Sequence, residues 1–239
     1  MPGGVDLSRY TGPKDITTPG TVIDGKEIAG PLRIRADNVT IKRSIVTGSS
    51  DNSDLSVIRV YEDADNALIE DVEAAGGGGA CGIAVELAGT GGTARRVDAH
   101  GCADFFRSNE GTTVVDSYGH NRWNGPGVHS DAVQALGDSN LVFRHNTLVL
   151  PGGSGVNNVI AIGGEYGRPS SVTIENNLLD GGGYTIGIDP GTTKLKIVNN
   201  RFGDSFSYGA VRSNGAAMTF SGNVWDEAGQ ALSLSEALK

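Results

Sequence analysis

Ser171-Val-Thr-Ile-Glu-Asn-Asn177-Leu-Leu179 is the stretch that decides the fold, because its pattern recurs along the chain. In each copy apolar residues alternate with polar ones, as in a β-strand. A small polar residue, here Asn177, follows five places after the first apolar one, and an apolar residue two places later resumes the alternation. Clear copies begin at Asn38, Asn140, Ser171, Lys194 and Ala217, a weaker one begins at Asn66, and degenerate ones cover 93–99 and 113–118.

The small polar residue of each copy is predicted to occupy a tight corner. Asn tolerates the left-handed backbone conformation and can hydrogen-bond within its own turn. Stacked copies would also let these side chains bond to one another along the stacking axis. The predicted corner residues are Ser44, Asn146, Asn177, Asn200 and Asn223.

The spacing of the copies predicts the architecture. Successive copies lie about 20 to 31 residues apart, which suits one coil of a parallel β-helix whose neighbouring strands are ~4.8 Å apart. A second strand is predicted in each coil, over 56–61, 82–87, 104–108, 131–136, 158–162, 185–188 and 209–212. The sequence therefore predicts an all-β protein, a single-stranded right-handed parallel β-helix of about eight coils. A β-sandwich is the alternative, but its strands would not share one phrase with a fixed corner residue.

The 239 residues are enough for one domain with a continuous core. We expect a lead-in and cap over 1–19, the β-helix over 20–226, and a tail or cap over 227–239. Residues 233–238 are expected to form a short helix or to cap the last coil.

Composition narrows the partners. The formal net charge is −9, and without a basic cluster an acidic chain gains nothing from nucleic acid or an anionic membrane. No run approaches the ~18 apolar residues of a membrane-spanning helix. The start, Met1-Pro-Gly-Gly-Val-Asp6, has no basic or apolar segment of a secretory signal. We therefore expect neither nucleic acid nor membrane as a partner, and no signal peptide in this sequence.

One phrase carries most of the candidate chemistry, His129-Ser-Asp-Ala-Val-Gln134, which follows an irregular stretch over 118–127. It offers a base, a carboxylate and an amide, and the irregular stretch adds a second base, a cation and an indole ring that suits stacking on sugars. The predicted catalytic residues are His129, Asp131 and Asp104. The predicted substrate-binding residues are Arg107, Gln134, His120, Arg122, Trp123 and Glu86.

The coil register sharpens this prediction. Suppose that Cys81, Cys102 and His129 share a column of equivalent positions in successive coils. Then Glu86, Arg107 and Gln134, each five residues further on, share a second column. In the same register Asp104 sits beside Asp131. A row of carboxylates, amides and guanidinium groups along a flat face suits an extended polysaccharide. Outward columns of a β-helix are polar in any case, and Glu86 beside Arg107 would also be explained by an ion pair worth ~0–1 kcal/mol.

Further expectations follow from the same register. Asp189 and Arg212 are expected to continue the Glu86 column. Cys81 and Cys102 become neighbours on adjacent coils, where a disulfide and a stacked pair of buried thiols fit equally well.

Metal ligands are offered by two acidic loops, Ser50-Asp-Asn-Ser-Asp54 and Glu62-Asp-Ala-Asp65. Solvated turns explain such loops just as well, so the sequence predicts neither a metal nor another cofactor.

The chain resembles the pectate-lyase-like superfamily of right-handed parallel β-helix proteins, and within it the β-helix proteins of actinobacteria and their phages. The resemblance spans roughly residues 10 to 226. It is carried by Tyr10-Thr-Gly-Pro13 with Pro19-Gly-Thr-Val-Ile-Asp-Gly25, by the phrase from His129 to Gln134, and by Gly181-Gly-Gly-Tyr-Thr-Ile186.

The resemblance implies a protein that binds or cleaves a polysaccharide. Members of the superfamily include calcium-dependent lyases, hydrolases with two or three aspartates, and phage tailspikes. This chain lacks the paired aspartates of polygalacturonases and a lyase-type Arg/Lys pair. Asp104 and Asp131 would supply the two carboxylates that hydrolysis needs if their columns align.

The expected function is that of a glycan-directed phage tail protein, either tailspike-like or a minor tail protein. It would bind a host surface polysaccharide, and the sequence leaves open whether it also depolymerises that polysaccharide. It would be located in the virion, with other tail proteins as partners and a homotrimer as the oligomer in a tailspike-like case. One alternative is a free extracellular polysaccharide lyase or glycoside hydrolase. The other is a non-catalytic structural virion protein.

Overall fold

A computed structural model describes residues 5–48 and 56–239 of the chain. The predicted acidic loop at 50–54 and the first four residues lie outside this part. The described strands in the first half of the chain are β1 (Ser8–Arg9), β2 (Asp15–Ile16), β3 (Val22–Asp24), β4 (Lys26–Ala29), β5 (Leu32–Ile34), β6 (Thr40–Gly48), β7 (Ser56–Val60), β8 (Leu68–Gly76), β9 (Ile83–Leu87), β10 (Thr93–Arg95), β11 (Asp98–His100), β12 (Asp104–Arg107), β13 (Thr113–Val115) and β14 (Tyr118–His120). Those of the second half are β15 (Val133–Ala135), β16 (Leu141–Arg144), β17 (Thr147–Leu150), β18 (Asn158–Ile162), β19 (Val172–Glu175), β20 (Leu178–Gly181), β21 (Tyr184–Ile188), β22 (Leu195–Val198), β23 (Arg201–Phe202), β24 (Gly209–Arg212), β25 (Met218–Ser221) and β26 (Val224–Trp225), followed by α1 (Leu234–Ala237).

The strands form two sheets that wind together as a parallel β-helix, as the repeats predict. One sheet has nine strands, one from each coil, and runs from β2 to β24. The other has seventeen strands, because most coils cross it with two strands separated by a corner. All pairings between named strands are parallel, for example β7 with β9 and β18 with β21. The described chain therefore makes nine coils, and its first paired strands lie before residue 20, where the sequence analysis placed the start of the β-helix.

The core is built from columns of apolar side chains, one from each coil. Phe143 lies over Ile174, which lies over Ile197, and all three side chains are fully buried. Such stacking needs no long-range sequence signal beyond the alternation itself, because a parallel register places equivalent residues above one another. Helix α1 closes the chain, and Ser233 and Glu236 form a capping box at its start. This short helix confirms the prediction for the tail.

The predicted corner residues stack into a hydrogen-bonded ladder inside the helix. The Oδ1 atom of Asn177 accepts hydrogen bonds from the backbone N–H and side-chain amide of Asn146, at 2.9 and 3.0 Å. Asn200 receives the same two bonds from Asn177, and Asn223 receives them from Asn200. Ser117 joins the upper end, where its backbone N–H donates to Asn146 Oδ1 at 2.9 Å. The predicted bonding between stacked corners is thus confirmed.

The backbone at these corners corrects one detail. The left-handed residue is the one before the ladder residue, as at His145, Asn176 and Asn199, with φ values of 55°, 57° and 56°. The physical reason is that the ladder side chain must point inward to reach the next coil. The sharp change of direction therefore falls on its neighbour, which lies exposed.

Cys81 and Cys102 form a disulfide between adjacent coils, with their Cα atoms 4.6 Å apart. Both residues are buried. The structure thus distinguishes between the two arrangements that the sequence allowed.

Replacing Asn177 by Ala is expected to destabilise the protein by about 2–4 kcal/mol, because buried partners on two neighbouring coils lose their hydrogen bonds together. Its amide also donates to Phe143 O at 2.9 Å. The exposed Ser221→Ala on β25 is the matched control and should change stability by less than ~0.5 kcal/mol. Urea unfolding measures both, and equal midpoints would contradict a stabilising role for the ladder.

Candidate functional site

The outer face of the nine-stranded sheet collects most of the predicted site residues. Arg107 pairs in register with Glu86 on one side and with Gln134 on the other. Asp131 is the neighbour of Asp104, since its backbone N–H donates to Asp104 Oδ1 at 2.9 Å. The register that the sequence analysis predicted for these five residues is the one observed.

The Glu86 column continues differently from the prediction at one position. Beyond Gln134 it runs through Ala161 and Gly187 and then reaches Arg212, which confirms the expectation for Arg212. Asp189 lies two residues past the column, so the expectation for Asp189 was wrong. The spacing of the copies fixes a coil only to within a residue or two, because loop lengths differ between coils.

Asp104 and Asp131, which we call the carboxylate pair, are both buried, with 6% and 2% of their surface exposed. Asp131 is well supplied with donors. Its Oδ1 accepts from Asn158 N at 2.9 Å and from the side-chain amide of Asn158 at 3.4 Å, and its Oδ2 accepts from the amide of Asn157 at 3.3 Å. Gln134 Nε2 lies 3.5 Å from the same oxygen. Asp104 accepts the backbone N–H of Asp131 and has one longer contact, 3.5 Å from its Oδ2 to Arg107 Nη2.

These surroundings change how the pair holds protons. Burial, and after it the neighbouring carboxylate of Asp131, raise the pKa of Asp104 to about 7. Burial also raises the pKa of Asp131, against the opposing effect of the hydrogen bonds from Asn158 and Asn157. Two adjacent carboxylates with different surroundings are the arrangement in which one group serves as an acid while the other is ionised.

Two further charges frame the pair. Arg107 Nη1 lies 3.9 Å from Glu86 Oε1, so the predicted ion pair is present but long. Glu86 is buried and is held more closely by Ser56 Oγ, which donates at 2.5 Å, and by Arg59 Nε at 3.4 Å. Glu86 therefore acts as a fixed support for the two arginines.

Two clefts flank the carboxylate pair along this face. The N-terminal cleft has a volume of about 320 Å³, and its lining includes Asp104, Arg107 and His129. The C-terminal cleft has a volume of about 380 Å³, and its lining includes Asp131 and Gln134. His129 is exposed at the rim between them, with Nδ1 3.4 Å from Asn157 Oδ1. The pair thus lies between the two clefts, which we together call the groove, with Asp104 lining one cleft and Asp131 the other.

Three predicted residues are not gathered here. His120 lies on β14 in the seventeen-stranded sheet, where Nε2 is 2.9 Å from Asp98 Oδ1 and the ring stacks on Tyr118. Arg122 bonds Asn124 and the carbonyl of Ser154. The lining of the two clefts includes neither Arg122 nor Trp123.

Sequence reasoning missed the residues that complete the C-terminal cleft. Asn158 and Tyr184 occupy the same column as Asp131, one and two coils further on. Each stands at or just before the start of a predicted strand, so counting coils from Asp131 would have found them. Tyr208 and Asn157 lie in loops just before strands, outside the repeated phrase, which gave no signal for them.

Metal and membrane chemistry receive no support within the described ranges. No group of three or more His, Cys, Asp or Glu side chains there is arranged to hold a metal ion. In the second acidic loop, Glu62 pairs with Arg59 at 2.9 Å, and Asp65 Oδ1 accepts the Thr90 N–H. None of the described helices has the length and apolar character to cross a membrane.

Comparison with known proteins found no match, either to a protein-family model or to a curated sequence. The resemblance to the pectate-lyase-like superfamily therefore stays a prediction, and the function must be argued from the groove itself.

Asp104→Asn is expected to raise the melting temperature more at about pH 8 than at about pH 5. Because the pKa of Asp104 lies above its ordinary value in the folded state, the folded protein binds more protons than the unfolded one between about pH 4 and 7, and stability falls as pH rises through that window. Asparagine keeps the oxygen that accepts from Asp131 but carries no charge. A shift of several degrees at the higher pH is expected. The exposed Asp204→Asn serves as control, and a gain that is equal at both pH values would contradict the buried acid.

Proposed function

We propose that this protein binds an extended polysaccharide along the outer face of its nine-stranded sheet and hydrolyses a glycosidic bond at the carboxylate pair. The observation that carries the proposal is a pair of buried carboxylates between two clefts, with one pKa near 7. Glycoside hydrolysis needs one carboxylic acid that protonates the leaving oxygen and one carboxylate that acts as nucleophile or activates a water. A polymer lying across both clefts would bring an internal bond over the pair.

The surroundings suggest which residue takes which role. Asp104 has a pKa near neutrality and is the general acid, since it keeps its proton at pH values up to about 7. Asp131 is the carboxylate partner, held in place by Asn157, Asn158 and Gln134. It acts on the sugar as nucleophile or activates a water, and the stereochemistry of the product distinguishes these two routes.

A lyase reaction is less well supported by the same groove. It needs a basic group able to take a proton from the sugar. Arg107 is engaged with both Asp104 and Glu86, and a guanidinium group stays protonated in proteins. His129 is exposed at the rim and contacts Asn157 rather than the pair.

Asp104→Asn and Asp131→Asn should each lower hydrolysis at least about 100-fold, the usual contribution of a positioned acid or base. Wild-type turnover should fall as pH rises above about 7, because Asp104 then loses its proton. Reducing-end release from a panel of bacterial surface polysaccharides provides the measurement.

The matched control is Asp116→Asn on the opposite sheet, where asparagine suits the left-handed corner. Products that absorb as unsaturated sugars would identify a lyase instead. Tight glycan binding with no product from any polysaccharide would identify a binding protein.

We also propose that the polysaccharide belongs to a host cell surface and that the protein is part of a phage tail. Support comes from the rod-like stack of nine coils with uninterrupted parallel sheets, a shape suited to a tail fibre or spike. Mass spectrometry of purified virions and the oligomeric state in solution provide the test. The protein should be found in virions as a trimer, whereas a monomer found only in culture medium would favour a free enzyme.

A further inference from the structure

One column that runs along the C-terminal cleft carries only small residues in two successive coils. Ala161 and Gly187 occupy this column between Gln134 and Arg212, over ~10 Å along the axis. The side chain of Asn158, from the preceding coil, lies over Gly187, where a Cβ atom would be 2.4 Å from Asn158 Oδ1. The cleft lined by these residues and by Asp131 has a volume of about 380 Å³, within the usual range of small-molecule sites.

The charges around this cleft are mostly negative. Asp131, Glu165 and Asp189 line the cleft, against Arg212 as the cation in its lining. Asp189 is fixed in place, since its Oδ2 accepts the Gly164 N–H at 3.1 Å. Arg212 is directed toward Tyr184, with its guanidinium carbon 5.6 Å from the ring centroid. Even with Asp131 protonated, the carboxylates outnumber the cation.

The neutral groups of the cleft also suit a positively charged donor. Tyr184 and Tyr208 place their ring centroids 5.6 Å apart, and Tyr208 is 69% exposed. Aromatic faces attract cations and stack on the apolar side of sugar rings. Gln134 also lines the cleft, and its buried Oε1 has no hydrogen-bond partner among the described residues.

We propose that the C-terminal cleft binds a hexosamine unit whose amino group is free and positively charged. The inference rests on the proposed function, because it assumes that a glycan occupies this groove. The N-terminal cleft differs, since there Arg107 and His129 stand beside Asp104. The substrate is accordingly a polymer that presents an amino sugar on the Asp131 side of the scissile bond.

Isothermal titration calorimetry of Asp104→Asn, which blocks turnover outside this cleft, tests the inference. The probes are tetramers of glucosamine, N-acetylglucosamine and galacturonic acid at about pH 6 and low salt. The glucosamine tetramer should bind about tenfold tighter than the acetylated one, as expected for two charge contacts, one with the exposed Glu165 and one with the half-buried Asp189, and the difference should shrink at high salt.

Adding Glu165→Gln and Asp189→Asn to this variant should bring the two affinities within about twofold, because both changes keep the shape and remove the charge. Adding Asp116→Asn instead is the control and should leave the preference intact. Equal affinities before these changes, or tighter binding of galacturonate, would overturn the inference.

Two outcomes separate this inference from the proposed function. If none of the tetramers binds while wild-type protein hydrolyses another glycan through Asp104, the amino-sugar inference fails and the hydrolase stands. If the glucosamine tetramer is preferred while Asp104→Asn and Asp131→Asn keep wild-type hydrolysis, the cleft is supported and the catalytic proposal fails.

Discussion

Hydrogen bonding between parallel coils is the constraint on which the rest of this molecule depends. Each strand is fixed by main-chain bonds to the same segment of the next coil, as β9 is to β12. The side chains of paired strands therefore lie over their equivalents, so functional groups of successive coils form columns. In the core this is favourable, because apolar groups pack on apolar groups. In the outward-facing columns it can bring like charges together, as with the buried Asp104 and Asp131. Such a neighbour, added to burial, keeps one carboxylate protonated near neutrality.

The carboxylate pair lies where the character of the stack changes. On the N-terminal side, long side chains fill the outer column, as Arg59, Glu86 and Arg107 do, and they neutralise one another. On the C-terminal side the same column carries only the small residues Ala161 and Gly187. The ladder of inward asparagines also begins in this region and supports the coils that form the cleft. Rigid, hydrogen-bonded coils behind this column of small residues are suited to holding a ligand in fixed geometry.

The repeat made the fold and part of the site predictable, and its limits explain the misses. Residues inside the repeated strands, such as Arg107 and Gln134, could be placed because register follows from counting within a coil. His120 lies four residues after Asp116, the left-handed corner residue of its coil, and was assigned to the wrong face because the degenerate copy there was not used to place it. Tyr208 lies in a loop between coils, where the conformation depends on tertiary packing rather than on a periodic pattern.

The two carboxylates of the pair are solvated unequally by the protein. Asp131 accepts hydrogen bonds from Asn158 and Asn157, with Gln134 at longer range, and these favour its ionised form. Asp104 accepts one short backbone N–H, and its contact with Arg107 is 3.5 Å long, so less opposes the effect of burial. Burial raises the pKa of both groups, and that of Asp104 reaches about 7. Because Asp131 supplies that backbone N–H, the position of the acid is fixed by its own partner. A small change in the Asp131 coil would therefore disturb the surroundings of both carboxylates together.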